Sequence, residues 1–373
     1  MHSLLVAPFL DSFLLMRPGH TAGAKLPRRR YDELTGAPQG APVPVWLVTT
    51  AHQVFGLDLS GRSLDPTVLV RQRSPHGYVR ASYELNLGCN YDCEHCYLGD
   101  RPFDGLDWTG REKLLHIMRD AGVVWVQLTG GEPLIDKYFP EVHRLAHELG
   151  MMVSISSNGS RLANPRILDV LTTYRPYRLT VSVYGATEES YDGMTRRRGS
   201  YRKFIKGMDA AHEANLPVQL SVVVSERNAD EVDAMVAMAT DRGFSHHVYV
   251  NMSPTIHGDG SVLVTQSAEH LRERKQFTGC NAGHTFFHSD PHGRASICKI
   301  GRDDAIDLMA EGVAGLSRLG EVADRLMLRN GGCSGCALSG SCTVCRPLAK
   351  QYQQAKAPLG MYCQHGQRKE VNA

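Results

Sequence analysis

From about residue 81 the chain alternates apolar, β-branched runs with amphipathic stretches, which predicts parallel strands each followed by a helix. Six strands are expected, at Ala81 to Leu87, Val123 to Thr129, Met152 to Ser156, Leu179 to Val183, Val218 to Val224 and His247 to Met252. Between them, Leu114, Ile117, Met118 and Ala121 keep helical spacing up to Gly122, and Val142, Leu145, Ala146 and Leu149 do so up to Gly150. Both glycines suit the residue just past a helix end. Asn164 followed by Pro165 reads as an N-cap and first helical position, and Asn228 with Glu231 as a capping-box-like start. A βα series of this length suits an α/β fold of the open kind, a partial (βα)6 TIM-like barrel, with active groups at the C-terminal strand ends.

Residues 1–80 break the rhythm. Pro and Gly are frequent there, Arg28 to Arg30 read as a solvated basic run, and strand-like pieces such as Val43 to Thr49 are short, so a small α+β segment is expected. The apolar opening from Leu4 to Met16 is interrupted by Pro8 and Asp11, has no basic leader and is too short for a bilayer. A cytoplasmic chain with no membrane partner is the expectation.

Composition narrows the chemistry. A length of 373 residues exceeds one ordinary core, which points to a barrel-sized unit plus smaller ones. A formal charge of +2 supplies no basic field, so nucleic acid is not an expected partner. Ten cysteines without an export signal argue for metal or cluster binding over disulfides, because the cytosol keeps thiols reduced.

Three of these cysteines, Cys89, Cys93 and Cys96, fall in one loop right after the first strand. Thiolates are soft ligands suited to iron-sulfur clusters, and a compact loop can wrap three of them around three irons of a cubane, leaving the fourth open. This loop resembles the CxxxCxxC motif of the radical S-adenosylmethionine (SAM) superfamily. The resemblance implies a 4Fe-4S cluster whose open iron chelates SAM and whose electron splits it into methionine and a 5′-deoxyadenosyl radical. Gly130-Gly131-Glu132-Pro133, at the second strand end, resembles the family's GGEP segment, which implies contacts to the SAM amino group. The same resemblance places Ser157 and Asn158 after strand three, and Ser182 in strand four, against the ribose and carboxylate. It sets His95 on the adenine, with Tyr97 following the motif. For the SAM carboxylate, Arg196, Arg197 and Arg198 are neighbouring candidates, of which Arg196 is chosen.

The remaining seven cysteines lie after residue 279. Cys280, Gly293 and Cys298, then Cys333, Cys336, Cys342, Cys345 and Cys363, follow an order that closely resembles the SPASM extension of radical SAM peptide maturases. That extension implies two auxiliary 4Fe-4S clusters, one on Cys280, Cys298 and Cys345 and the other on Cys333, Cys336, Cys342 and Cys363. The partition of Cys342 and Cys345 stays open, because only two residues separate them. His284, His288 and His292 are candidates for the vacant ligand position, and a zinc ribbon is the competing reading for the paired CxxC groups.

The expected layout is therefore residues 1–80 for substrate or leader recognition or bracing, 81–265 for the radical SAM core, and 266–373 for the SPASM domain. All ten cysteines are assigned as cluster ligands, so no thiol is spare to return a hydrogen atom, and an oxidative outcome is expected. The resemblance implies a crosslink or related oxidation in a ribosomally made precursor peptide, with electrons from a flavodoxin or ferredoxin-type donor. The alternatives are oxidation of a small alcohol or a protein side chain (sulfatase-type maturation), and, from another class, a non-catalytic zinc-binding interaction protein.

Overall fold

The computed structural model describes residues 2–272, 279–326 and 344–363. Cys333, Cys336 and Cys342 lie outside them. The first unit is a mixed sheet with helices on one side. Strands β1 (Leu4–Phe9), β2 (Ser12–Met16) and β3 (Gly23–Leu26) run antiparallel, and after helices α1 (Arg28–Thr35), α2 (Val45–Phe55) and α3 (Leu64–Thr67) strand β4 (Val68–Val70) returns parallel to β1. The expectation of strand at Val43 to Thr49 is corrected here. The stretch is helical from Val45 because Pro44 sets the entry, and Leu47 and Ala51, one turn apart, drop into a core with Leu4, Leu15 and Tyr31. Burial of one helical stripe outweighs the β-branched preference of Val45, Val48 and Thr49.

The second unit is the expected open barrel, an α/β arrangement whose sheet does not close. Its strands and helices alternate as β5 (Arg80–Glu84), α4 (Trp108–Ala121), β6 (Trp125–Thr129), α5 (Phe139–Glu148), β7 (Met152–Ser157), α6 (Pro165–Thr173) and β8 (Arg178–Val183). There follow α7 (Glu188–Thr195), α8 (Ser200–Glu213), β9 (Val218–Val223), α9 (Val232–Thr240) and β10 (Ser245–Tyr249). All six of these strands pair in parallel with their sequence neighbours. Gly122 ends α4 with a φ of 99°, and Asn164 caps α6 by accepting from the amides of Arg166 and Ile167. The capping box expected at Asn228 is not formed. The Asn228 amide group instead donates to the carbonyls of Tyr184 and Val223, and Glu231 turns to Ala186, Thr187 and Ser190. The pair thus ties two strand ends together and leaves the helix to start from a 3-10 turn.

The sheet does not stop with the sixth parallel strand. Strand β11 (Phe286–Ser289) pairs in parallel with β5 on its outer edge, and β12 (Arg294–Ser296) and β13 (Ile306–Asp307) extend the sheet antiparallel, giving the order β10-β9-β8-β7-β6-β5-β11-β12-β13. Helices α10 (Leu308–Glu311), α11 (Leu319–Asp324) and α12 (Arg346–Gln354) follow. Along β6 to β9 the residues that face the helices are apolar, among them Val126, Leu128, Ile155, Val181 and Leu220. The opposite, lumenal face carries Gln127, Ser156, Thr180, Ser182 and Ser221, only partly buried. One core therefore lies between sheet and helices, and the barrel interior stays polar. No helix among the described residues is long and apolar enough to cross a membrane.

Candidate active site

The loop after β5 carries the three cysteines along one wall of a cavity of about 510 Å³. Its shape is fixed from several sides. The amides of Asp92 and Glu94 donate to the carbonyls of Thr195 and Met194 at the end of α7, and the amide of Cys96 donates to Cys93. Arg101 pairs with Asp92 and donates to the Tyr91 carbonyl at 2.9 Å. Cys89 Sγ accepts from the Tyr91 amide at 3.4 Å and from the Asn158 side chain at 3.8 Å. Burial pushes the Cys89 thiol up to about 11, and pushes Cys93 and Cys96 upward too. Such thiols ionise only in exchange for a bound cation, and the iron ions of a cluster would supply it. Among the described residues no three His, Cys, Asp or Glu side chains are gathered tightly enough to hold a single ion.

The second strand end is built around two glycines. Gly130 has a φ of 137°, and a Cβ there would stand 2.0 Å from the Asn86 carbonyl oxygen; at Gly131 it would stand 2.1 Å from that of Gly88. The bare backbone lets this turn lie directly on the base of the cysteine loop, while both glycines still face the cavity. Glu132 is placed differently from its neighbours. It is fully buried beneath the turn, where it accepts from Leu134 N (3.0 Å), Ser157 Oγ (2.8 Å) and Asn158 N (2.6 Å), and it does not line the cavity. Burial raises its carboxyl to about 7, against the pull of those hydrogen bonds.

The structure thus brings together Cys89, Cys93, Cys96, His95, Tyr97, Gly130, Gly131, Ser157, Asn158 and Ser182 around one cavity. His95 stacks at 4.9 Å on Tyr184 in a tilted pair, and burial lowers its imidazole to about 4, so it meets the cavity as a neutral ring. Arg196 lies apart. It ends α7 in the left-handed region, is more than half exposed, and sits 3.8 Å from Glu94 outside the cavity wall. Residues that the spacing did not bring out also line the cavity: Thr129, Ser156, Thr180, Ser221 and Tyr249 from the strands, and Ser253 and Lys299 beyond them. The polar residues at alternate strand positions were the available signal, since a strand buried on both faces would be apolar throughout.

The C-terminal region reaches the barrel through charge. Glu84, at the end of β5 and wholly buried, receives both nitrogens of the Arg302 fork at 2.8 and 2.9 Å. His288 Nε2 lies 3.3 Å from the same carboxylate, and its Nδ1 is 2.8 Å from Ser82 Oγ. Burial works to raise Glu84, but these contacts outweigh it and hold the carboxyl near 2. His288 is therefore engaged inside the barrel, while His284 pairs with Asp324 at 2.9 Å. Cys298 accepts from the Gly301 amide at 3.2 Å with Cys280 close enough to raise its thiol further, and Cys345 stands at the N-terminal cap of α12. Burial brings the Lys299 ammonium down to about 8.

An open parallel barrel with a three-cysteine loop at its C-terminal mouth is the architecture of a radical SAM domain. Residues 83–239 match the Radical SAM superfamily model, which marks a radical SAM domain over that stretch. Among curated proteins it is similar to the AdoMet-dependent heme synthase of Methanosarcina barkeri, 29% identical over 184 residues, which are 48% of this chain and 52% of that one. It is also similar to the antilisterial bacteriocin subtilosin biosynthesis protein AlbA of Bacillus subtilis, 25% identical over 248 residues, covering 60% of this chain and 55% of the relative. The chain spans about half the length of these relatives. In fold it is similar to Streptococcus suis SuiB bound to precursor peptide SuiA, with a TM-score of 0.56, 13% identity, and coverage of 79% of this chain and 82% of the other.

Proposed function

We propose that this chain is a radical SAM peptide maturase that oxidatively modifies a ribosomally made precursor peptide by forming a crosslink. The observation that carries this reading is the set of three thiols on one loop facing a cavity at the C-terminal ends of parallel strands. When bound there, a 4Fe-4S cluster and SAM supply a 5′-deoxyadenosyl radical able to take an unactivated hydrogen atom. The chain's own residues would position and shield that chemistry. Cys89, Cys93 and Cys96 would hold the cluster, Gly130 and Gly131 would let the SAM amino group approach the backbone, and Ser157, Asn158 and Ser182 would bind its ribose and carboxylate. His95, neutral on Tyr184, would offer a flat face to the adenine. Arg196 remains a candidate only if α7 moves, given its outward placement.

The peptide assignment is supported by two likenesses. AlbA is named for bacteriocin biosynthesis and SuiB was solved with a precursor peptide. We assign residues 266–373 to a SPASM domain with two auxiliary clusters, to which Cys280, Cys298, Cys345 and Cys363 would contribute with Cys333, Cys336 and Cys342. The first unit, up to β4, is assigned to peptide recognition, since its β3 edge is open for an added strand. A flavodoxin or ferredoxin-type protein would deliver the electron.

The test is anaerobic. Reconstituted protein should bind about a dozen irons, release 5′-deoxyadenosine from SAM under dithionite, and convert a precursor peptide to a product lacking two hydrogen atoms. Failure to release 5′-deoxyadenosine would defeat the radical reading. Release without change in any peptide, but with oxidation of an alcohol, would defeat the peptide reading.

A further inference from the structure

We propose that Lys299 anchors a carboxylate of the substrate peptide, either an acidic side chain or a chain terminus, in the cavity beside SAM. This rests on the radical reading of the site and adds to it the chemical class of the group that is held.

Lys299 follows β12 and lines the same cavity as the three cysteines. Its Nζ donates to Thr129 Oγ1 at 3.2 Å, and among the described residues no carboxylate stands within ion-pair distance of it. An ammonium has three donors, so this contact leaves donors unused. The carboxylate whose charge reaches Lys299, Glu84, is already engaged: it takes the Arg302 fork and faces His288. The other cation on the wall, Arg101, has its partner in Asp92. No aspartate or glutamate among the described residues lines the cavity. A half-buried cation with donors to spare, on a wall without aspartate or glutamate among the described residues, favours a ligand group that brings a carboxylate.

The cofactor also carries a carboxylate, but position argues against it as the partner. The polar groups assigned to SAM all lie within residues 83–239, the stretch shared with the superfamily. Lys299 lies outside that stretch, on the C-terminal region, apart from the groups assigned to SAM. A charged anchor on the cavity wall fixes which substrate atom stands nearest the reacting centre.

The experiment is a calorimetric titration of the cluster-loaded, SAM-bound protein with N-acetylated, amidated pentapeptides. One set has a central glutamate or aspartate, the other a central glutamine or asparagine, and one glutamine peptide keeps its free C-terminal carboxylate. A charge-assisted hydrogen bond predicts that carboxylate-bearing peptides bind about tenfold tighter than neutral ones. That preference should persist in Lys299→Arg and vanish in Lys299→Gln, with iron content and circular dichroism confirming that both variants fold. A wild-type protein without the preference, or a Lys299→Gln protein that keeps it, overturns the proposal. So does a Lys299→Gln protein whose affinity for SAM itself falls about tenfold, because the lysine would then serve the cofactor. Release of 5′-deoxyadenosine by the wild type is scored separately, so failure of the radical reading is distinguishable from failure of the anchor.

Discussion

The two ends of the barrel are built from the same strands and do opposite work. At the C-terminal end serines, threonines and glycines from the strands and the turns after them line an open cavity, and the cysteine loop is held by hydrogen bonds from neighbouring segments. At the N-terminal end Val124, Trp125, Met152 and Tyr177 at the strand starts pack against Leu5, Ala7 and Met16 of the first sheet. There Arg71, almost wholly buried, donates to the carbonyls of Val123, Leu149 and Gly150 through one nitrogen and of Arg119 through the other. It satisfies the exposed carbonyls where α4 and α5 end, where the helix dipoles favour a cation. One end thus lines a cavity with polar groups, and at the other a buried arginine is taken up by helix-end carbonyls. Changes at the first should remove chemistry while the fold stands, and changes at the second should weaken the fold while chemistry stands.

The largest effect is expected from Cys93→Ala. It should lower 5′-deoxyadenosine release by about a thousandfold or more and bound iron by about four atoms per chain, read by chromatography and iron assay, with the far-ultraviolet spectrum unchanged. Loss of the spectrum would break the contrast between the ends. Next comes Glu84→Gln, which sits where the two C-terminal features meet. It leaves the Arg302 guanidinium and His288 without their carboxylate, and removing one partner of a buried pair costs about 3 kcal/mol. Hydrogen exchange should quicken over residues 286–307 while β7 and β8 keep their protection. Uniform quickening would mean that the C-terminal strands and the barrel open as one.

Which features could be read from the chain follows from how local their cause is. The helix ends at Gly122 and Gly150 and the cap at Asn164 depend on a few adjacent residues, and all three form as the spacing predicts. The cysteine loop and the paired glycines are local in the same way. Asn228 and Glu231 carry a local signal too, but a strand-end carbonyl and the serine of a neighbouring helix outcompete the helix start for their side chains. The stretch at Val43 to Thr49 looks strand-like by itself and is helical because its burial depends on β1 and β2, earlier in sequence. The sequence groups Glu132 with its two glycines, whereas its carboxylate turns away from the cavity to Leu134, Ser157 and Asn158, since nothing in four residues shows which way a side chain turns. Lys299 and β11 depend on a pairing across about 200 residues, between β11 and β5. No periodicity reports that.

At the other end, Arg71→Met should sharpen the contrast. It keeps the stem's volume and leaves four carbonyl contacts unmade, with an expected loss of about 3 kcal/mol. A urea titration measures it, and 5′-deoxyadenosine release by the folded protein should change less than about twofold. A drop in release with unchanged stability would overturn the division of labour between the ends.

The smallest effect is a pH dependence at His143. This imidazole on α5 is wholly buried, stacks on Phe139 and places Nε2 2.6 Å from the Tyr174 carbonyl, and burial lowers it from 6.5 to about 4. The unfolded chain therefore takes up this proton near 6.5 and the folded chain only near 4. Between those values the unfolded state carries more protons, so stability falls as pH falls through that window and is fully regained above 6.5. His143→Gln keeps a donor for the carbonyl and removes the titration. Thermal unfolding at about pH 7.5 and about pH 5 should show the variant losing about 2 kcal/mol less on acidification than the wild type. His95 shifts in the same direction at the cavity, but it is present in both proteins and cancels in the difference. Equal losses would show that His143 meets water in the folded state, and the packed end would then be less closed than its contacts make it.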